Sequence, residues 1–163
     1  EMLDFMACWR EEDMPFHHIH GAGRDYETMR QGLSGRGLDP KDFDLRQYIY
    51  DMPTVMAAAD LVLCRAGAST LSELTATGKP AILVPSPNVT ANHQFKNAKV
   101  LSDRGGALLV EEKDCSGQKL YGMVQDLLAD GAGRDRMSQA QLSLAVPTAA
   151  EDIYQALMKR MGH

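Results

Sequence analysis

LVLCRAGASTLSELTATGKP, residues 61–80, is the stretch that decides the fold. It begins as an apolar run typical of a buried strand, passes through small residues at 67–69, and then carries a helical pattern up to Gly78. This order predicts a strand, a loop and a helix, with Thr70 as the residue that caps the helix. The free N–H groups and positive dipole end of such a helix favour an anion such as phosphate.

Short apolar runs alternate with helical patterns along the whole chain. We predict strands at 16–20, 44–50, 61–64, 81–84 and 107–110. We predict helices at 2–9, 26–33, 52–59, 70–77, 92–101, 116–129, 134–144 and 149–161, with the glycines at 131–133 separating two of them. Because the strands are continuous Leu, Val and Ile runs, the pattern indicates an α/β fold, a doubly wound, Rossmann-like parallel sheet.

In a parallel sheet of this type, ligands bind beyond the carboxyl ends of the strands. We therefore expect four loops to meet at one edge of the sheet, and these are residues 21–24, 50–53, 65–69 and 85–93. A single glycine loop is a weak signal, but several polar loops at one edge predict a binding site.

Length and charge limit the classes of function. The 163 residues suit one domain, and the net charge of −5 argues against a nucleic-acid partner or an anionic membrane surface. No apolar run approaches the roughly 20 residues that span a bilayer, and no signal peptide is evident. Three cysteines without metal-like pairing are typical of free thiols in a reducing compartment, so we expect a cytoplasmic protein.

Several familiar chemistries are disfavoured by the motifs. Strand alternation places His18 and His20 on one face and His17 on the other, so we predict no metal site there. The chain has no Walker lysine loop, no G-x-S-x-G elbow and no G-x-G-x-x-G turn. Kinase, hydrolase and dehydrogenase functions are therefore not indicated.

Two polar groups each have a structural and a functional interpretation. Glu73 lies three residues after Thr70, so it could complete a capping box, or it could accept the two hydroxyls of a ribose. Asn92, His93 and Gln94 follow the next predicted strand, where their side chains could bond sugar hydroxyls or where Asn92 could only cap a helix. The residues alone leave both alternatives open.

Three motifs in order, ADLVLCRAGASTLSE at 59–73, GKPAILVP at 78–85 and NHQFKNA at 92–98, resemble the MurG family of peptidoglycan glycosyltransferases. The resemblance covers nearly the whole chain. It implies that residues 1–163 are the C-terminal, donor-binding half of a two-domain GT-B enzyme. Such an enzyme transfers GlcNAc with inversion from UDP-GlcNAc to lipid I, undecaprenyl-diphosphoryl-MurNAc-pentapeptide, and so forms lipid II.

The resemblance also implies a donor site. Its predicted members are Tyr48, Ile49, Met52, Gly67, Ala68, Ser69, Thr70, Glu73, Asn92, His93 and Gln94. Tyr48 and Ile49 would hold the uracil, residues 67–70 the diphosphate, Glu73 the ribose, and His93 with Gln94 the GlcNAc. His93 stands where some relatives have glutamine, and either side chain can bond a hydroxyl. The family implies no cofactor and no metal in this half, and we assign no catalytic base here.

The remaining parts of such an enzyme are expected outside this sequence, which begins at Glu1. The resemblance places lipid I binding and contact with the cytoplasmic face of the cell membrane in an N-terminal domain. Two alternatives stay open: a UDP-sugar-binding subunit of a split glycosyltransferase, and the donor domain of another GT-B UDP-sugar enzyme.

Overall fold

The computed structural model describes residues 1–13 and 15–162. Helices and strands alternate along the chain as follows: α1 (Met2–Glu11), β1 (Ile19–Gly21), α2 (Tyr26–Gly35), β2 (Asp44–Arg46), α3 (Met52–Ala58), β3 (Val62–Cys64), α4 (Ala68–Thr77), β4 (Ala81–Leu83), α5 (His93–Asp103), β5 (Ala107–Leu109), α6 (Gly117–Ala129), α7 (Gly131–Leu142) and α8 (Ala149–Met161). None of the described helices combines the length and apolar character that crossing a membrane requires.

The chain forms two compact units, each built from two segments. The first unit contains Glu1–Ala59 and Lys113–Asp130, and the second contains Asp60–Glu112 and the chain from Gly131 onward. In the first unit β1 and β2 pair in parallel, with Ile19 opposite Asp44. In the second, β3, β4 and β5 form a parallel sheet in that order.

The core of the first unit is aromatic. Phe5 of α1 is 2% exposed, and its ring meets those of Phe16, His18 and Tyr121 at centroid distances of 5.2–6.5 Å. Helices α1 and α6 pack so closely at Gly117 that a Cβ there would overlap the Glu1 carbonyl oxygen and the Phe5 backbone nitrogen. These contacts between α1 and α6 join the two chain segments of the unit.

The core of the second unit surrounds its central strand. All three residues of β4 are fully buried, as expected when a parallel strand is covered on both faces. The buried Gln141 of α7 donates from Nε2 to the carbonyls of Lys79 and Gly106, at 2.7 and 2.8 Å. These bonds tie α7 to the segments that lead into β4 and β5.

The parallel α/β class predicted from the sequence is confirmed, but several boundaries differ, including the start of β1, which lies at Ile19 and not at residue 16. The prediction that Thr70 caps a helix is wrong, because α4 begins at Ala68 and Gly67 is its N-cap. The separation at 131–133 is also wrong, because α7 begins at Gly131 and its burial of Met137 and Gln141 outweighs the low helix propensity of glycine. Strand β2 ends at Arg46, short of the exposed Tyr48 and Tyr50.

Candidate functional site

The N-terminus of α4 follows directly from the end of β3. Gly67 is the N-cap in an extended conformation (φ −68°, ψ 147°), and its carbonyl accepts the first helical bond from the Leu71 N–H at 3.0 Å. No side chain caps this end, and the N–H groups of Ala68, Ser69 and Thr70 find no acceptor in the described part of the chain. Three donors and the positive helix dipole are therefore available to an anion.

Glu73 lies on α4 about one and a half turns from its start. Because the helix begins earlier than predicted, Thr70 occupies the third helical position and Glu73 cannot form the capping box. The carboxylate is exposed and makes no side-chain hydrogen bond or ion pair with any described residue. The capping-box interpretation of Glu73 is therefore wrong, and its role in ribose binding stays a prediction.

Cys64 ends β3 beside this helix. Burial, with a further contribution from the negative charge of Glu73, raises the pKa of the Cys64 thiol to about 12. The thiol is therefore protonated at neutral pH and is not a nucleophile.

The loop between β4 and α5 carries the next group of predicted site residues. Asn92 is the N-cap of α5 in the left-handed region (φ 52°, ψ 36°), but its side chain makes no capping bond. The Nδ1 atom of His93 lies 2.9 Å from the Thr90 carbonyl, so Nδ1 donates, and the tautomer with its proton on Nδ1 leaves Nε2 as an acceptor. Gln94 accepts from the Ser86 N–H through Oε1 at 2.9 Å, which leaves its Nε2 donors for another partner.

Tyr48, Ile49 and Met52 follow β2 in the first unit. The Ile49 side chain packs on Gly21 at the end of β1, where its Cδ1 would lie 3.2 Å from an added Cβ. Tyr48 is 66% exposed, and its ring meets the Tyr50 ring edge-on at 4.8 Å between centroids. Met52, the first residue of α3, is 41% exposed. An aromatic ring, an aliphatic side chain and a thioether are thus presented beyond the carboxyl ends of β1 and β2.

The structure groups the predicted site residues by unit. In the second unit, residues 67–73 and 92–94 follow the adjacent parallel strands β3 and β4, in which Cys64 pairs with Leu83. Adjacent parallel strands present their carboxyl ends at the same edge, so these two groups share that edge. The residues of the first unit lie at the corresponding edge of their own sheet. Assembly of all eleven around one ligand stays a prediction.

An ion pair at the same edge of the second sheet was not predicted. Arg65 donates from Nη1 to the Val84 carbonyl at 3.2 Å and from Nη2 to Glu112 Oε1 at 3.0 Å. The only sequence signal is a charged residue just after each of two strands, which is too common to indicate a contact. Recognising the pair requires the strand order.

Three histidines, His17, His18 and His20, lie in β1 or just before it. His18 and His20 lie on one face with ring centroids 5.8 Å apart, as their alternation predicted, while His17 Nε2 lies 3.6 Å from Asp44 Oδ2. Among residues 1–13 and 15–162, no group of three or more His, Cys, Asp or Glu side chains is arranged to hold a metal ion.

Comparison with known proteins places this geometry in context. Residues 2–153 match the family model described as the glycosyltransferase family 28 C-terminal domain. A crystal structure of MurG from Acinetobacter baumannii superposes with a TM-score of 0.73 at 26% identity, covering 86% of this chain and 42% of that one.

Curated relatives are more similar in sequence. Two are named UDP-N-acetylglucosamine--N-acetylmuramyl-(pentapeptide) pyrophosphoryl-undecaprenol N-acetylglucosamine transferase. The one from Anaeromyxobacter dehalogenans is 42% identical over 98% of this chain and 40% of its own length. The one from Halalkalibacterium halodurans is 40% identical over 86% of this chain and 39% of its own length. The chain thus spans about two fifths of the length of the relatives it matches.

Proposed function

The chain belongs to glycosyltransferase family 28, and from this membership we propose that it binds UDP-GlcNAc as the donor half of the transferase that converts lipid I to lipid II. The observation that carries the proposal is the uncapped N-terminus of α4, with the exposed and unpaired Glu73 on the same helix. The names of the 42% and 40% identical relatives support this choice of donor and acceptor.

In the proposed complex, the diphosphate lies at the start of α4. The N–H groups of Ala68, Ser69 and Thr70 donate to its oxygens, and the helix dipole stabilises its negative charge. When the sugar is displaced with inversion, more charge develops on the UDP leaving group. The same donors then stabilise the transition state, and this electrostatic stabilisation is the contribution of this half to catalysis.

The other groups orient the nucleoside and the sugar. Glu73 accepts both ribose hydroxyls, and Tyr48, Ile49 and Met52 hold the uracil. Asn92 supplies a free amide, His93 its Nε2 acceptor and Gln94 its Nε2 donors to the hydroxyls of GlcNAc. Holding the sugar in one orientation presents its anomeric carbon to the acceptor.

The acceptor and the membrane belong to the rest of the proposed enzyme. We assign lipid I binding, and attachment to the cytoplasmic face of the bacterial cell membrane, to the part of the relatives' length that this chain does not span. A transferase at this step supplies the cell wall, on which cell shape and division depend.

Replacing Glu73 tests the donor site. Glu73→Gln removes the charge of the ribose acceptor, so we expect the affinity for UDP-GlcNAc and UDP, measured by calorimetry, to fall about 30-fold. The melting temperature should hardly change, because Glu73 makes no side-chain bond within the described chain. Glu11→Gln, the same substitution at an exposed residue of α1 that makes no side-chain hydrogen bond or ion pair with any described residue, is the matched control. Unchanged UDP affinity in Glu73→Gln would exclude the ribose role.

The acceptor is tested separately, with the natural full-length protein. GlcNAc transfer to lipid I is expected, and diacylglycerol is the comparison acceptor. Transfer to diacylglycerol but not to lipid I would refute peptidoglycan synthesis while leaving the donor site intact.

A further inference from the structure

One ion pair links the carboxyl ends of all three strands of the second sheet. Arg65 follows β3, Val84 follows β4, and Glu112 lies just beyond β5. Because β4 is the central strand, the Arg65 guanidinium extends across its end, bonding the Val84 carbonyl at 3.2 Å and Glu112 Oε1 at 3.0 Å. The Arg65–Glu112 pair thus connects the two outer strands at the edge where the donor is proposed to bind.

Stability alone does not account for this arrangement. Glu112 Oε2 is buried and has no hydrogen-bond donor among the described residues, and a buried acceptor without a partner opposes folding. The Arg65 side chain is 51% exposed, and an ion pair with so exposed a partner stabilises a fold only weakly. An apolar residue at position 112 would avoid the first cost, so the carboxylate calls for another explanation.

The position of Arg65 supplies an explanation for the buried carboxylate of Glu112. Arg65 is separated from Gly67, the N-cap of α4, only by Ala66, which is fully buried. Fixing the guanidinium therefore fixes the short segment that sets where the free N–H groups of α4 point. On the other side, Val84 lies two residues before Ser86, whose N–H holds Gln94.

We propose that the Arg65–Glu112 pair is a positioning element for the donor diphosphate, which holds the segment before α4 so that its N–H groups are oriented before the ligand arrives. This inference rests on the proposed function. A site organised in advance binds more tightly because less order is lost on binding. Glu112 acts through Arg65 and contacts no part of the ligand.

The pair is tested in the natural full-length protein with UDP, UDP-GlcNAc and uridine as ligands. Glu112→Gln and Arg65→Ala should each lower the affinity for UDP about five- to tenfold. The affinity for uridine, measured by competition in ligand-observed NMR, should not change, because uridine has no phosphate. The double variant, with both Glu112→Gln and Arg65→Ala, should bind UDP no more weakly than the weaker-binding of the two single variants. Arg65→Lys should bind UDP more tightly than Arg65→Ala. Lys99→Ala, which breaks the exposed 2.8 Å pair with Asp103 on α5, is the matched control.

The outcomes separate the two proposals. Wild-type protein that binds neither UDP nor UDP-GlcNAc overturns the proposed function, and the positioning role with it. If the wild type binds both ligands but the variants bind UDP equally well, only the positioning role is overturned. Equal losses for UDP and uridine also overturn it, because they indicate a general loss of structure.

Discussion

At the scale of single residues, His18 has a strongly lowered pKa in the first unit. Its ring lies edge-on against Phe5 and Trp9, at 5.2 and 6.0 Å between centroids. Burial, with smaller contributions from His20 and His17 and opposed by Asp44, lowers the pKa of His18 from its ordinary value of 6.5 to about 4. Burial also lowers the pKa of His20. Both imidazoles are therefore neutral in the folded protein at neutral pH.

This burial predicts a loss of stability in mild acid. As the pH falls below about 6.5 the unfolded chain binds a proton at His18, whereas the folded chain does not until the pH reaches about 4. The free energy of unfolding should therefore decline across this interval, by about 3 kcal/mol from His18. Urea unfolding at pH values from 7.5 to 4.5 measures the decline.

Two substitutions distinguish His18 from its neighbours. His18→Gln should flatten the profile between pH 6.5 and 4.5, even if it lowers stability at every pH. His17→Gln should keep most of the wild-type slope, because burial and not the neighbouring His17 is the largest cause of the low pKa of His18. A profile for His18→Gln as steep as that of the wild type would refute this origin of the acid sensitivity.

At the scale of elements, hydrophobic patterning predicted the order and type of the helices and strands but not their ends. The apolar runs at 61–64, 81–84 and 107–110 contain the observed strands β3, β4 and β5. The start of α4 was placed two residues late because Thr70 has the better capping side chain, whereas the chain caps α4 with the extended backbone of Gly67. Capping by backbone geometry carries little sequence signal.

The candidate site was predictable to a similar degree. Residues 67–73 and 92–94 lie at the carboxyl edge that the strand pattern indicated. What the sequence could not supply is the set of partners: that Gln94 holds the Ser86 N–H, or that Arg65 extends across β4 to Glu112. Such contacts depend on strand order and side-chain conformation, and neither is encoded in a local pattern.

Glycine packing gives a prediction for one element, helix α6. Gly117→Ala puts a Cβ into the backbone of α1, so one helix must shift, and we expect a loss of about 2 kcal/mol. Gly122→Ala, in the same helix, places its Cβ where no described atom lies within 4 Å, and should change stability by no more than about 1 kcal/mol, in the stabilising direction. Chemical denaturation of the two variants measures the difference. Equal effects would show that α1 does not depend on close approach at Gly117.

At the scale of the whole molecule, sequence order and spatial grouping do not coincide. Helix α6 of the first unit comes from Lys113–Asp130, which follows all three strands of the second unit in the sequence. Its own sheet has only two strands of three residues, which is too small to be stable alone. Several of its most deeply buried apolar side chains lie instead on α1 and α6, among them Phe5, Leu120 and Tyr121, each at most 4% exposed.

This interleaving predicts which parts of the chain fold together. Residues 1–59 alone should remain unfolded, because the apolar face of α1 lacks α6 and an exposed apolar face does not offset the entropy of ordering the chain. The same residues joined by a flexible glycine-serine linker to 113–130 should recover helical circular dichroism and dispersed amide resonances. The linked polypeptide carrying Gly117→Ala is the control and should fold less completely, because the substitution disturbs the same contact. Folding of residues 1–59 without α6 would show that α1, α2 and the β1–β2 sheet form a core of their own.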